Sequence, residues 1–184
     1  DKPQDIFWAS GTALLIRKTA LDEVGLFDED FFAHMEEIDL CWRFHNAGWR
    51  VVNAPKAKIY HHSGWTLPPD KYQKKYLNHR NNLMMIIKNY PFAYLAAILP
   101  VRLALEGVAF VFSALIRDWK RMAAVLMSLV WNATHPLLLI RKHQEAGRKR
   151  HPQAVSNTVK QMYSGSIFFQ YFLKGKKRVR DIEG

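Results

Sequence analysis

The chain has 184 residues, 49% of them hydrophobic and 13% aromatic, too apolar for disorder and long enough for one domain with a core, or a small domain with an appendage. Its single cysteine, Cys41, excludes an internal disulfide framework and any zinc site built on several thiolates. Residues 1–64 carry 7 Lys and Arg against 10 Asp and Glu, and residues 65–184 carry 20 against 6, so an acidic front is joined to a basic rear suited to anionic lipid or nucleic acid.

The sequence starts at Asp1 without a signal-peptide pattern, and we read it as a piece of a longer protein. In "FWASGTALLIRK" the run Ala13 to Ile16 predicts a buried strand entered from a tight loop at Ser10-Gly11. "TALDEVG" predicts a short helix with Thr19 as N-cap and Gly25 just past its end. "LFDEDFFAHM" is too irregular for one element and reads as a loop with aromatic anchors. From Glu36, "EEIDLCWRFHNAG" places Leu40, Cys41, Phe44 and Ala47 on one helical face, with Gly48 as a left-handed cap. "WRVVNAP" and "AKIYHHSG" read as strands ended by Pro55 and Gly64. This is an α/β pattern. Three strands are too few for a doubly covered sheet, so residues 1–67 are expected to be the second part of a domain whose first part lies elsewhere.

After Pro68-Pro69 the chain turns helical. A basic-to-apolar helix is predicted over Asp70 to Tyr90, followed by two apolar stretches, Phe92 to Ile116 and Met122 to Ile140. Pro100, Arg102 and Glu106 interrupt the first and Asn132, His135 and Pro136 the second, so neither reads as a clean membrane span of about 20 apolar residues. At 100° per residue, the polar positions from Arg102 to His135 gather on about a third of the circumference, with a break near Asp118. Residues 68–145 are therefore expected to be amphipathic α-helices lying in a membrane interface; the alternative is a bundle burying the same apolar face against protein. The tail, residues 146–184, pairs the aromatics of "SIFFQYF" with Lys174, Lys176, Lys177, Arg178 and Arg180, a peripheral anchor in which each charge adds about 1 kcal/mol at an anionic surface.

Three features could carry chemistry. Glu36, Glu37 and Asp39 stand in the first turn of a helix, where carboxylates interact favourably with the macrodipole. Alternatively, Glu37 heads the inward face as a general base for a substrate hydroxyl, with Glu36 and Asp39 turned aside. His61 and His62, adjacent on a strand, face opposite ways, so at most one serves a given site as a metal or phosphate ligand. Ala9-Ser10-Gly11 permits close approach of a ligand to the backbone, or is simply a tight turn. Trp8, Trp42, Trp49 and Trp65 read as core or pocket wall, and Trp8 and Trp65 bracket the possible site.

In order, "ASGTALLIRK", "VGLFDEDFF", "EEIDLCWRFHNAGWRV" and "AKIYHHSG" strongly resemble the second half of the catalytic domain of family 2 glycosyltransferases, especially the bacterial rhamnosyltransferase-like group. "HRNNLMMIIKNYP" continues the likeness more loosely. The resemblance implies a GT-A-type fold, a nucleotide-sugar donor, a divalent cation (Mg or Mn) and inversion at the anomeric carbon. It places the catalytic base at Glu37, where the family commonly has aspartate, one methylene shorter. Glu36 and Asp39 would position acceptor hydroxyls or brace the loop. Trp8, Ser10, Gly11, Trp42 and Trp65 would contact substrate. His61, which matches better than His62, would hold the metal and the departing diphosphate.

The family's earlier Asp-x-Asp metal segment is missing, and Asp28-Glu29-Asp30 reads as a loop of the acceptor region. The isolated chain is accordingly expected not to bind nucleotide sugar. The implied acceptor is lipid-linked or a polysaccharide, in cell-surface glycan synthesis at the cytoplasmic face of the inner membrane, with homo-oligomerisation left open. The rival reading is a non-catalytic membrane-surface module. Nucleic-acid binding is disfavoured because the basic residues accompany apolar faces and match no reader motif, and a zinc hydrolase because the two histidines diverge.

Overall fold

The computed structural model describes residues 2–61, 71–162, 170–171 and 174–176. Seven α-helices follow one another: α1 Lys18–Val24, α2 Glu36–Asn46, α3 Tyr72–Asn89, α4 Phe92–Leu115, α5 Trp119–Thr134, α6 Pro136–Arg148 and α7 Pro152–Gln161. A single 3₁₀ turn, Glu29–Phe31, lies between α1 and α2.

Among the described residues no strand forms. Residues 13–16, expected to be a buried strand, carry no ladder, and Leu15 is fully exposed. Trp49 to Pro55 contributes one antiparallel bridge, Val52 to Asp5, flanked by Ile6 N–H to Val51 O at 2.9 Å and Asn53 N–H to Gln4 O at 3.0 Å. Residues 57–61 are irregular, and Gly64 lies outside the described residues. The expected α/β class is thus not realised here. A run of apolar residues supplies a buried face, but a strand also needs a neighbour for its backbone N–H and C=O groups, and these segments have none beyond that single bridge.

α2 forms as expected, with Glu36, Glu37 and Asp39 in its first turn. Gly48 follows its end at φ +89°, and Trp49 N–H reaches back to Phe44 O at 2.9 Å, an ending that needs a residue without Cβ. α1 starts two residues early. Arg17, not Thr19, holds the N-cap position and makes no side-chain bond there.

α2 is a wedge between two cores. Leu40, Phe44 and Ala47 pack with Ala20 and Val24 of α1, while Trp42 packs with Phe31, Met84, Met85 and Leu139. Three elements behind it are tied by a buried ionic network. Lys88 of α3 lies 2.7 Å from Asp28 and 2.8 Å from Asp39. Lys142 of α6 lies 2.7 Å from Asp28 and 2.6 Å from Asp30. Arg43 lies 2.9 Å from Asp39 and donates to the carbonyls of Val24 and Leu26 at 2.8 Å each. Three carboxylates meet three cations, so the charge is balanced where water is scarce.

α3 is the central helix of the rear half and packs against α4, α5 and α6. α4 and α5 turn their polar arc towards it. Glu106, Ser113 and Ser128 are buried, and His79 Nδ1 of α3 lies 2.6 Å from Glu106 Oε2 while Arg102 pairs with the other oxygen. Lys75 pairs with Asp118 at 2.6 Å, and Asp118 caps α5 by accepting from Arg121 N–H at 3.0 Å. The apolar faces point away from the protein: Val108, Val111, Phe112, Leu126, Val130 and Ile140 are all exposed. Among the described residues these apolar faces are not covered by protein.

α4 runs unbroken through Pro100 for 24 residues, and its most apolar stretch has mean hydropathy 2.0 with 6% buried. At 1.5 Å per residue it is about 36 Å long, enough for a hydrocarbon layer of about 30 Å. That is a match of length and composition alone; Arg102 and Glu106, the charges that interrupt the stretch, pair with each other. α5 and α6 bend by 74° at Pro136, which begins α6 where no backbone donor is lost.

Burial alone would raise the Asp28 carboxyl, but Lys88 and Lys142 outweigh it and bring it from 3.8 down to about 2. A carboxyl lowered in the folded state contributes stability that is whole above its unfolded value and is lost as pH falls through its folded value. This gives about 2 kcal/mol, lost between about pH 4 and pH 2. In urea titrations across that window, Asp28→Asn is expected to remove this part of the slope while lowering stability at neutral pH.

Candidate active site

The acidic turn of α2 emerges from an unusually bent loop. Phe32 has φ 61° and ψ −58°, with Ala33 N–H bonded to Phe31 O at 2.7 Å, a γ-turn of the rare hand. His34 at φ 69° and Met35 at φ 74° are also in left-handed backbone. Each such residue costs roughly 1–3 kcal/mol and clusters of them occur at functional sites. Met35 then caps α2, its carbonyl accepting from Asp39 N–H at 2.8 Å.

The three carboxylates of that turn part company. Asp39, expected to position acceptor hydroxyls or brace the loop, is wholly buried and held by Arg43, Lys88 and Asn89, the last at 2.7 Å. It lies two residues past Glu37, about 200° round the helix, where it reaches Lys88 and Asn89 of α3, so it is part of the ionic network. Glu36 and Glu37 are half-buried; each keeps one buried carboxylate oxygen, and His34 its Nε2, with no hydrogen-bond partner among the described residues. Burial raises the Glu36 carboxyl, and repulsion from Glu37 adds to the rise against a bond from its own backbone N–H. Burial lowers the His34 imidazole, helped by the charge of Lys74 and opposed by Glu37. The result is a compact group of two carboxyls and one imidazole with hydrogen-bonding capacity left unused, suited to a ligand rich in hydroxyls.

The Ala9–Gly11 loop lies against Glu37: a Cβ on Gly11 would sit 3.7 Å from Glu37 Cβ. Ser10 is closed into a turn, with its hydroxyl 3.0 Å from Thr12 Oγ1 and its carbonyl accepting from Ala13 N–H at 3.3 Å. Trp8 and Ser10 also line an open groove of about 1380 Å³ that continues along Leu15, Cys41 and Ile59. Trp42, expected to contact substrate, is buried in the second core, edge-on to Phe7 and Tyr90 with ring centroids 5.6 and 4.7 Å away. Its position one turn into α2, facing α3, leaves it no open side.

His61 is exposed. His62 and Trp65 lie outside the described residues. Among the described residues no group of three or more His, Cys, Asp or Glu side chains could hold a metal ion, so the described donor set does not fit the implied divalent cation. Sequence reasoning passed over His34 because a lone histidine in a loop carries no pattern. It also gave no role to Arg80 and Asn81 within "HRNN".

Residues 3–141 match the family model for glycosyl transferase family group 2. The chain belongs to that family. It is 33% identical over 100 residues to the N-acetylglucosaminyl-diphospho-decaprenol L-rhamnosyltransferase of Mycobacterium tuberculosis, in strains CDC 1551 / Oshkosh and ATCC 25618 / H37Rv alike. The match covers 54% of this chain and 32% of the relative, so the chain spans about a third of the length of the curated relatives it matches. No solved structure matches it significantly. Family membership implies a GT-A nucleotide-sugar transferase fold, of which the described residues of this family 2 glycosyltransferase chain form a helical portion.

The split among the carboxylates has a measurable consequence. Asp39→Asn is expected to lower stability in denaturant titration by about 3–5 kcal/mol, since it strips charge from a buried network. Glu36→Gln, which relieves repulsion, is expected to stay within about 0.5 kcal/mol of the parent.

Proposed function

We propose that this chain forms the acceptor side of an inverting glycosyltransferase acting in cell-surface glycan synthesis. The sugar moves from a nucleotide-diphosphate donor to a hydroxyl of a lipid-linked or polysaccharide acceptor, with L-rhamnose and a diphospho-polyprenol-linked sugar as first choices after the mycobacterial relatives. The observation that carries this reading is the unpartnered, half-buried carboxylate of Glu37, set against Gly11 at the head of α2 inside the segment that matches the family.

In this reading Glu37 takes the proton of the acceptor hydroxyl as its oxygen attacks the anomeric carbon from one face. The bond from that carbon to the donor's diphosphate breaks on the opposite face, and the diphosphate leaves with the electron pair. Inversion follows from that in-line geometry. Glu36 and His34, whose buried polar atoms also lack partners, hold neighbouring hydroxyls of the acceptor. A general base of this kind contributes about 10²–10⁴-fold. Glu37→Gln in the full protein is therefore expected to lower kcat by about that factor with donor binding unchanged, measured by sugar transfer into a lipid extract and by donor titration. Undiminished turnover would remove Glu37 from the base role. A divalent cation, expected for this family, is given no ligands among the described residues.

The rival reading, a non-catalytic membrane-surface module, is favoured by the outward apolar faces of α4, α5 and α6. In our reading they serve the enzyme, holding it at the membrane beside a lipid-linked acceptor on the cytoplasmic side. Replacing Val108 and Phe112, both exposed on α4, by glutamate is expected to shift the protein from the membrane pellet to the supernatant on ultracentrifugation. Full biological effect from a Glu37→Gln protein that stays at the membrane would favour the module instead.

A further inference from the structure

We propose that Asn81 is a positioning residue for Glu37, acting through the backbone of the loop that precedes α2; this rests on reading Glu37 as the base. Glu37 presents a problem of placement. Among the described residues no side chain hydrogen-bonds its buried oxygen, so its direction is set by where α2 begins. α2 begins where Phe32, His34 and Met35 bend at positive φ, and none of the three is glycine. Such a conformation is not one these residues adopt by preference, and it must be imposed from outside the loop.

α3 imposes it. The side-chain amide nitrogen of Asn81, wholly buried, donates towards three loop carbonyls: Phe31 O at 2.9 Å, Ala33 O at 2.8 Å and His34 O at 2.7 Å. Its oxygen accepts from Arg80 Nε at 2.8 Å, which fixes which way the amide faces. Arg80 donates in turn to Asp30 O at 2.6 Å and Phe31 O at 3.2 Å. The guanidinium is itself seated 4.9 Å from the Trp131 ring centroid and 5.7 Å from that of Tyr76. Two adjacent side chains of α3 therefore take up the carbonyls of residues 30, 31, 33 and 34, curling the loop around them. Without Asn81 the carbonyls of Ala33 and His34 lose their side-chain donor, the loop relaxes towards negative φ, and the first turn of α2 moves with it. Displacement of a reacting group by about 1 Å is enough to cost about 10²-fold in rate.

The test uses the full protein in membranes, with a nucleotide-sugar donor and lipid extract as acceptor, reading kcat, donor KM and the thermal midpoint. Asn81→Ala is expected to lower kcat by about 30–100-fold with donor KM within about twofold. In a Glu37→Gln background the same change is expected to cost less than about threefold more, because a base already removed cannot be misplaced. Met84→Ala, another wholly buried position of α3, serves as control and is expected to lower the thermal midpoint without that loss of kcat. The proposal is overturned if Asn81→Ala leaves kcat near the parent while Glu37→Gln is inactive, if its full loss recurs on top of Glu37→Gln, or if Met84→Ala loses kcat equally. Should Asn81→Ala fail to fold, Arg80→Lys decides. That variant keeps the charge and loses the fork; a several-fold fall in kcat supports the clamp, and an unchanged kcat sinks it. Full activity in Glu37→Gln alone would instead remove the base reading, and the positioning role with it.

Discussion

The placement of α2 against α3 and α6 depends on a buried, charge-balanced network. Asp39 on α2 and Asp28 before it share Lys88 of α3, and Asp28 also takes Lys142 of α6. Ionic groups lose much of their hydration when buried and recover it only through close partners in good geometry. Here the partners come from α2, the turn before it, α3 and α6, so separating these elements breaks buried ion pairs. Hydrophobic contacts hold α2 on both sides, but they are non-directional. The network supplies the register that they lack.

That register passes to the site. With α2 pinned at Asp39, its preceding loop has little room. Asn81 and Arg80 draw the loop's carbonyls towards α3, and the strained turn that results delivers Glu36 and Glu37 to the open side beside Gly11. One helical turn thus carries carboxylates with opposite fates. Asp39 is saturated with partners, whereas Glu36 and Glu37 each keep an oxygen with none. A saturated carboxylate is committed to the packing of the fold, whereas a buried oxygen without a partner retains the capacity to accept a hydrogen bond.

The rear helices invert the usual arrangement of a water-soluble bundle. His79, Arg102 and Glu106 close a polar seam between α3 and α4, and Lys75 and Asp118 close another. The apolar faces of α4 to α6 are left outward. An exposed apolar area of this extent is unfavourable in water and favourable against lipid. The same seam that removes the charges from the outer surface lets α4 offer a continuous apolar length.

The sequence by itself determined the local elements and the family. The 3.6-residue spacing of Leu40, Cys41, Phe44 and Ala47 specified α2 and its inner face, Gly25 and Gly48 the ends of α1 and α2, and the order of motifs around "EEIDLCWRF" the glycosyltransferase kinship. These are properties of residues close in the chain, where period and backbone preference suffice. Tertiary structure alone decided the rest. Asp39 and Glu37 are equally acidic on paper, and only Lys88, 49 residues from Asp39, separates their roles. Trp42 became core rather than pocket wall because α3 lies over it. The polar arc of α4 and α5 was legible as an arc, but the direction it faced depended on partners in α3. The expected strands did not form because a strand is completed by a neighbouring backbone, and an apolar run cannot announce whether that neighbour is there.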